Sequence, residues 1–456
     1  MDRGRERVHM IGIGGAGMSG IATVLRQQGH VVSGSDLRAS EVTRRLQSQG
    51  IAVALGHDAA NLPPDAELVI VSSAVGDDNP ELVAAVARGV PVIKRGEMLA
   101  RLVNAREGIA VAGAHGKTTT TAMVALVLEQ AGLSPSFIIG GELQHLALSA
   151  KLGQGPHFVA EADESDASFL ALHPRIAVVT NVEDDHLDYY RSLERLQAAF
   201  RQFVQQVRPD GFALLCGEDP YLRAMRDQVS TRVLYYGFQR THDYALFDYE
   251  ASGYGSQFGA CRNGRTLGRI ELQVPGVHNA LNALAATAVG MELGLGFEVI
   301  REALAEFVGA KRRFEVLGQV DGVTVLDDYA HHPTEIAATL AAARQAHPGR
   351  LVVIFQPHRY SRTRLLGEQF GPALRAADVV VVTDVYGAGE APIPEVSGEI
   401  IHRSALAAGC NATYVADLDQ VPQHVRELMR PGDLVITMGA GDIRQVGLVL
   451  VKGSGS

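Results

Sequence analysis

Residues 8–36 read VHMIGIGGAGMSGIATVLRQQGHVVSGSD. An apolar run ends in Gly12-Ile-Gly14-Gly15-Ala-Gly17, a helical pattern covers Gly17 to Gln28, and a second β-branched run closes on Asp36. Strand, glycine turn, helix and strand in this order form a Rossmann-type unit, where the missing side chains let the backbone approach a pyrophosphate seated on the helix N-terminus. Asp36 falls about where an acidic residue takes a ribose hydroxyl. The spacing does not name the nucleotide, and a strand-to-helix turn that binds nothing uses the same glycines. Read alone, the segment also fits a nicotinamide-dependent dehydrogenase.

The same alternation of short β-branched runs and helical patterns continues outward, which signals parallel-sheet α/β architecture. Strands are expected at Leu68–Ser72 and Val90–Ile93, and a second unit opens with GIAVAGAHGK (108–117) and a helix through Gln130. It continues with HFVAEAD (157–163) and IAVVTNV (176–182), then a Gly-, Tyr- and Phe-rich stretch over 244–275 that predicts an antiparallel hairpin. A third unit from about Phe314 carries VTVLDD, LVVIFQ, DVVVVTD and DLVITMG. The expected organisation is three α/β domains, which suits a chain of 456 residues at about 150 per domain. They are an N-terminal Rossmann-like unit over 1–106, a central P-loop-type ATPase unit with the hairpin region over 107–312, and a C-terminal Rossmann-like unit over 313–452. The terminal Gly-Ser-Gly-Ser, 453–456, reads as an appended tail.

Composition narrows the function. Hydrophobic residues at 46% and charged residues at 20% describe an ordinary soluble protein, and a net charge of −10 argues against a general nucleic-acid binder. A locally basic pocket for a phosphorylated small molecule remains compatible with it. No apolar run reaches the roughly 18 residues of a membrane span, and polar Met1–Arg7 leads straight into a strand, unlike a signal peptide. Cys216, Cys261 and Cys410 have no metal-binding spacing, so neither a disulfide framework nor a zinc site is expected. The expected location is the cytoplasm, with no nucleic-acid or membrane partner.

A second glycine-rich loop, Gly113-Ala-His-Gly116-Lys117-Thr118-Thr119, again lies between a strand and a helix. Val111 occupies the first-glycine position of the standard GxxxxGK[ST] pattern, but the shorter GxxGKT still supplies backbone N–H groups for phosphate oxygens, a Lys for their charge and a hydroxyl for Mg²⁺. Two acidic clusters also follow strands: Glu161, Asp163, Glu164 and Asp166, then Glu183, Asp185, His186 and Asp188. Ligands of open parallel sheets bind at the carboxyl ends of strands, so both clusters point to the edge of the phosphate loop, where carboxylate, imidazole and Thr hydroxyl suit Mg²⁺ or Mn²⁺ held with phosphates. In the third unit, His358, Arg359 and Arg362 form a candidate clamp for a carboxylate or phosphate, although solvated helix-start arginines have the same spacing. A non-catalytic nucleotide-binding regulator would not need those paired arginines.

In chain order, HMIGIGGAGMSGIA (9–22), GAHGKTTTT (113–121), AEADESDASFL (160–170), VTNVEDDHLDYY (179–190), GVHNALNALAA (276–286), KRRFE (311–315), DDYAHHPTE (327–335), FQPHRYSRT (355–363), YGAGE (386–390) and MGAGDI (438–443) resemble the Mur ligase family, the ATP-dependent amide-forming enzymes of peptidoglycan precursor synthesis. The opening glycine string and the double histidine favour the member that adds L-alanine to UDP-N-acetylmuramate; the murein-tripeptide recycling ligase is the nearest rival. The resemblance implies UDP-N-acetylmuramate, L-alanine and ATP as substrates, Mg²⁺ or Mn²⁺ as cofactor, and a monomer or homodimer. It implies that Gly12, Gly14, Gly15, Gly17 and Asp36, with Ser72 and Ser73 as weaker candidates, hold the UDP part. Gly113, Ala114, His115, Gly116, Lys117, Thr118 and Thr119 would bind ATP, with His278, Asn279 and Asn282 at its base and ribose, Arg313 at its phosphates and Asp328 at its ribose. Thr118, Glu161 and His186 would hold the metal. Tyr329, His331, His358, Arg359 and Arg362 would form the amino-acid pocket, and Lys117, Arg313 and His331 would act in catalysis. Several family members carry a carbamylated Lys in the central domain, whereas no Lys occurs here between Lys151 and Lys311.

Overall fold

The computed structural model describes residues 5–143, 148–184 and 187–452. They build three sheets. The first contains β1 (Arg7–Ile11), β2 (Val31–Asp36), β3 (Ala52–Leu55), β4 (Leu68–Val71) and β5 (Val92–Lys94), ordered β3-β2-β1-β4-β5 and parallel throughout. The chain reverses its direction of travel between β1 and β4, which opens a crevice at their carboxyl ends.

The second sheet contains β6 (Glu107–Ala112), β7 (Ser136–Leu143), β8 (Leu148–Lys151), β9 (His157–Glu161), β10 (Ile176–Val179), β11 (Phe212–Cys216), β12 (Val233–Gly237), β13 (Tyr244–Ser252), β14 (Gly255–Arg262) and β15 (Arg265–Leu272). Its order is β15-β14-β13-β12-β11-β10-β6-β9-β7-β8, with β6 between β9 and β10. Burial of every residue of β10 and β11 explains their unbroken apolar sequence, since both faces of a parallel sheet are covered. The stretch expected to form one hairpin forms three strands joined by two two-residue turns, Gly253-Tyr254 and Asn263-Gly264. Positive φ at Asn263 and Gly264 (49° and 75°) is the backbone a tight hairpin turn requires.

The third sheet contains β16 (Glu315–Val320), β17 (Val323–Asp328), β18 (Leu351–Phe355), β19 (Val379–Val382), β20 (Ala412–Tyr414) and β21 (Leu434–Met438), ordered β16-β17-β21-β18-β19-β20. Only β16 pairs antiparallel. Alternate residues pack on opposite faces: Leu326, Val353, Phe355, Val380 and Ile436 on one, Val325, Val352, Ile354, Val381 and Val435 on the other. The described residues fall into two compact units, one within Met1–Phe247, Gly259–Gly268 and Leu281–Leu304, the other within Asp248–Phe258, Arg269–Ala280 and Ala305–Ser456. Among the described residues no helix is long and apolar enough to cross a membrane.

Candidate active site

Gly12 follows β1 with φ 76°, and its N–H and that of Ile13 both donate to the Ser35 carbonyl at 2.9 and 3.0 Å. A Cβ on Gly12 would stand 3.0 Å from Ser72 Cβ, so the turn lies against the residue that follows β4, inside the expected crevice. Gly14 N–H donates to Asp36 Oδ2 at 2.8 Å, and a Cβ there would meet the same oxygen at 2.8 Å. Asp36 thus fixes the glycine turn. Gly15 precedes the helix Ala16–Gln27, whose first turn carries no acidic side chain and leaves its N–H groups suited to an anion.

The second loop is built by close approach. A Cβ on Gly113 (φ 133°) would fall 2.1 Å from Thr180 Oγ1, and one on Gly116 (φ 84°) would fall 2.8 Å from Asn282 Oδ1. Thr180 and Asn181, just past β10, hold the loop: Thr180 Oγ1 donates to the His115 carbonyl at 2.5 Å, and Asn181 Oδ1 accepts the His115 N–H at 2.8 Å. Thr120 donates to Asn282 Oδ1 at 3.1 Å, which places Asn282 beside the loop.

Lys117 Nζ donates to the Gly113 carbonyl at 2.5 Å and to Glu164 Oε1 at 2.7 Å. Burial works to lower its pKa, but the carboxylates of Glu164, Asp163 and Glu161 outweigh it and raise it. Glu164 is itself buried and receives no metal role from the resemblance, yet it is the direct partner of Lys117. Its only signal in the sequence is membership of the acidic cluster. Thr118 hydrogen-bonds Glu161, which also accepts the Gly140 N–H at 2.6 Å. Burial pushes the Glu161 carboxyl up despite these donors. Asp163 is held below the usual range because, against its burial, Arg95 and Lys117 stabilise its charge. His186, expected as a metal ligand, lies outside the described residues.

In the second unit, Asp328 ends β17 and accepts the Phe314 and Ala330 N–H groups, each at 2.8 Å. Its burial outweighs these bonds and the Arg313 charge, pushing its pKa up to about 6. Arg313 pairs with Glu335 Oε1 at 3.2 Å, and Tyr329 lies under both Arg312 and Arg313, 4.9 and 5.4 Å from ring centroid to guanidinium carbon. His278 and Asn279 also belong to this unit, and burial followed by the Arg313 charge lowers the His278 pKa to about 4. His278 is therefore neutral at pH 7.

His331 Nδ1 lies 2.9 Å from the Tyr329 carbonyl and 3.3 Å from Glu335 Oε2, two acceptors that favour a proton on Nδ1. The His331 and His358 rings meet edge-on at 5.5 Å, and His358 stacks on Tyr386 at 5.7 Å. Arg362 Nη1 donates to His358 Nδ1 at 3.3 Å, and Arg359, at φ 70°, sits at the N-terminus of the helix Tyr360–Leu374. Tyr329, His331, His358 and Arg362 are thus brought into one cluster at the carboxyl ends of β17 and β18. Tyr386 and Glu390, which holds Ser361 through Oγ at 2.6 Å, complete it from a loop that local spacing does not join to the helix.

The chain matches three family models: Mur ligase family, catalytic domain, over 7–107; Mur ligase middle domain over 111–290; and Mur ligase, glutamate ligase domain, over 312–441. A UDP-N-acetylmuramate–L-alanine ligase of Syntrophomonas wolfei is 53% identical over 448 residues, 98% of this chain and 96% of that one. Its counterpart in Desulforamulus reducens is 49% identical over 450 residues, 98% and 97% of the two chains. Among solved structures, the Thermotoga maritima UDP-N-acetylmuramate–alanine ligase superposes with TM-score 0.85 at 34% identity, covering 98% of both chains. A murein peptide ligase of Psychrobacter arcticus gives 0.76 at 27%, also covering 98% of both. With its three domains matched in order and relatives alike over almost their whole length, this chain belongs to the Mur ligase family.

Proposed function

We propose that this chain joins L-alanine to the lactyl carboxylate of UDP-N-acetylmuramate, with ATP converted to ADP and phosphate, as the first amino-acid addition of peptidoglycan precursor synthesis in the cytoplasm. The observation that carries the reading is the 53% identity to an alanine-adding ligase over 98% of the chain. The glycine crevice and the phosphate loop in one compact unit support it, because the acceptor carboxylate and the ATP γ-phosphate must meet.

A carboxylate resists an amine because its oxygen is a poor leaving group. Phosphoryl transfer to the lactyl carboxylate makes an acyl phosphate; the alanine amine then attacks the acyl carbon, and phosphate leaves from the tetrahedral intermediate. Gly12 to Gly17, Asp36, Ser72 and Ser73 bind the UDP part, and Gly113 to Thr119 with Asn282 bind ATP. The ATP contacts expected of His278, Asn279, Arg313 and Asp328 belong to the same proposal. Lys117 offsets charge developing on the transferred group, which requires it to leave Glu164 for the phosphates. Thr118 and Glu161, already hydrogen-bonded, fit a divalent cation, and with His186 they would hold Mg²⁺ or Mn²⁺, which neutralises phosphate charge when bound.

Tyr329, His358, Arg359 and Arg362 hold the amino acid by its carboxylate. With Nδ1 donating to the Tyr329 carbonyl, His331 takes the amine proton on Nε2.

The test is phosphate release from ATP that requires both UDP-N-acetylmuramate and L-alanine. Release with the tripeptide in place of alanine would instead select the second reading, the recycling ligase that the likeness to the murein peptide ligase supports. Release without either acceptor would sink both.

A further inference from the structure

We infer that Glu81 is a positioning residue for the sugar-nucleotide turn, acting through Ser35; this rests on the reading that Gly12 to Gly17 bind UDP-N-acetylmuramate. Glu81 lies in the first turn of the helix Pro80–Ala87, is 0% exposed, and is assigned no role by the family motifs. Four side chains converge on its carboxylate. His9 Nε2 from β1 and Ser35 Oγ from β2 each donate to Oε2 at 2.7 Å, while His57 Nδ1 and Asn61 Nδ2 donate to Oε1 at 2.8 and 3.3 Å. These donors favour the charge strongly enough to overcome burial and hold the carboxyl down at about 2.

A buried charge with its partners is usually no more stabilising than apolar side chains of the same volume, so what it supplies is fixed geometry. Here the geometry points at the turn. Ser35, whose hydroxyl Glu81 fixes, is the residue whose carbonyl accepts both the Gly12 and the Ile13 N–H groups. The next residue, Asp36, accepts the Gly14 N–H through its side chain and the Gly56 N–H through its carbonyl, while Asn61 joins the Gly56 carbonyl to Glu81. Asn79 caps the Glu81 helix, and the loop behind it leads back to Ser72 and Ser73. One carboxylate therefore sets the relative placement of the three segments that line the crevice, without reaching the ligand itself.

The test is Glu81→Gln, which keeps the size but turns an amide donor toward donors, and Ser35→Ala, which removes the hydroxyl tie and leaves the carbonyl. Each should raise the KM for UDP-N-acetylmuramate, and its Kd by titration calorimetry, by about tenfold or more, with kcat at saturation and the KM values for ATP and alanine within about twofold. Arg88→Ala is the control: it loses bonds to the Leu62, Pro63 and Pro64 carbonyls and should lower Tm without changing that KM. Should Glu81→Gln fail to fold, Ser35→Ala carries the test alone. Variants that lose Tm but keep the wild-type KM for UDP-N-acetylmuramate would overturn the inference. A wild-type enzyme that does not bind UDP-N-acetylmuramate would overturn the functional reading, and this inference with it.

Discussion

Arg95 Nη2 donates to Asp163 Oδ2 across 2.8 Å, tying the helix that follows β5 to the acidic loop that follows β9. On its other side a Cβ on Gly17 would stand 3.0 Å from Arg95 Nη1, so one guanidinium touches both the glycine helix and the loop that carries Glu164. Replacing it with Ala should raise the KM for UDP-N-acetylmuramate and for ATP together, by roughly five- to tenfold, because a mostly buried but still partly screened pair of this kind contributes about 1 kcal/mol. Steady-state kinetics with each substrate varied checks this, and Arg95→Lys should restore part of the loss. Two unchanged constants would show that the pair only closes a surface seam.

Lys117→Ala should abolish ligation and leave UDP-N-acetylmuramate binding nearly intact, since the sugar nucleotide rests on Gly12 to Asp36. The variant also removes the cation that lies 2.7 Å from buried Glu164. Calorimetry with the sugar nucleotide and a phosphate-release assay read the two effects apart. Near-normal turnover, or joint loss of binding and activity, would count against the assignment.

Local signals made the frame of this site readable. Strand-turn-helix segments at Gly12 and Gly113 lie within a dozen residues, and Gly12, Gly14, Gly113 and Gly116 stand where positive φ or a close neighbour disfavours a side chain. The phosphate-loop Lys and Thr and the His-His-Pro string are local in the same way. What escaped detection is long-range: Glu81 meets His9 across 72 positions, Arg95 meets Asp163 across 68, and Asn181 meets His115 across 66. No periodicity encodes such pairs. The antiparallel edge strand β16 was equally hidden, because its half-buried pattern resembles the surrounding loops.

Arg359→Ala or Arg362→Ala should raise the KM for alanine far more than that for ATP, by roughly ten- to hundredfold, the worth of a charge-assisted contact to the α-carboxylate. Arg362 should show a second effect, because its Nη1 fixes the His358 ring that stacks on Tyr386. A loss confined to the ATP constant would move both arginines to the phosphates.

Acid should weaken the first domain through Glu81. Its carboxyl is held at about 2 in the folded chain against 4.5 when free, so its contribution is fully present above 4.5 and is lost as the pH falls toward 2. At pH 3 about 2 kcal/mol of it should be gone. Denaturant melts of wild type and Glu81→Gln at pH 6 and pH 3 should therefore show a narrowing gap, with His9 and His57 present in both proteins. A constant gap would mean that the carboxylate titrates normally.

The last expectation concerns a residue the chain lacks. The resemblance implies that several other members of the family carry a carbamylated Lys, whose added carboxylate helps to hold a metal ion in the central domain. Here the segment after the acidic loop reads YYRSLERLQAAFRQF over 189–203, and Arg, which stays protonated at neutral pH, forms no carbamate. The span between Lys151 and Lys311 offers no other amine, while Lys117 is engaged by Glu164 and by two loop carbonyls. Metal binding should then depend on groups already in the chain, chiefly Thr118, Glu161 and His186. Activity is expected to be the same in degassed, bicarbonate-free buffer as in air-equilibrated buffer. His186→Ala should lose most of its activity, and added bicarbonate should not return it. A wild-type rate that drops on degassing and recovers with bicarbonate would place a carbamate on one of the remaining lysines and remove the metal assignment from these side chains alone.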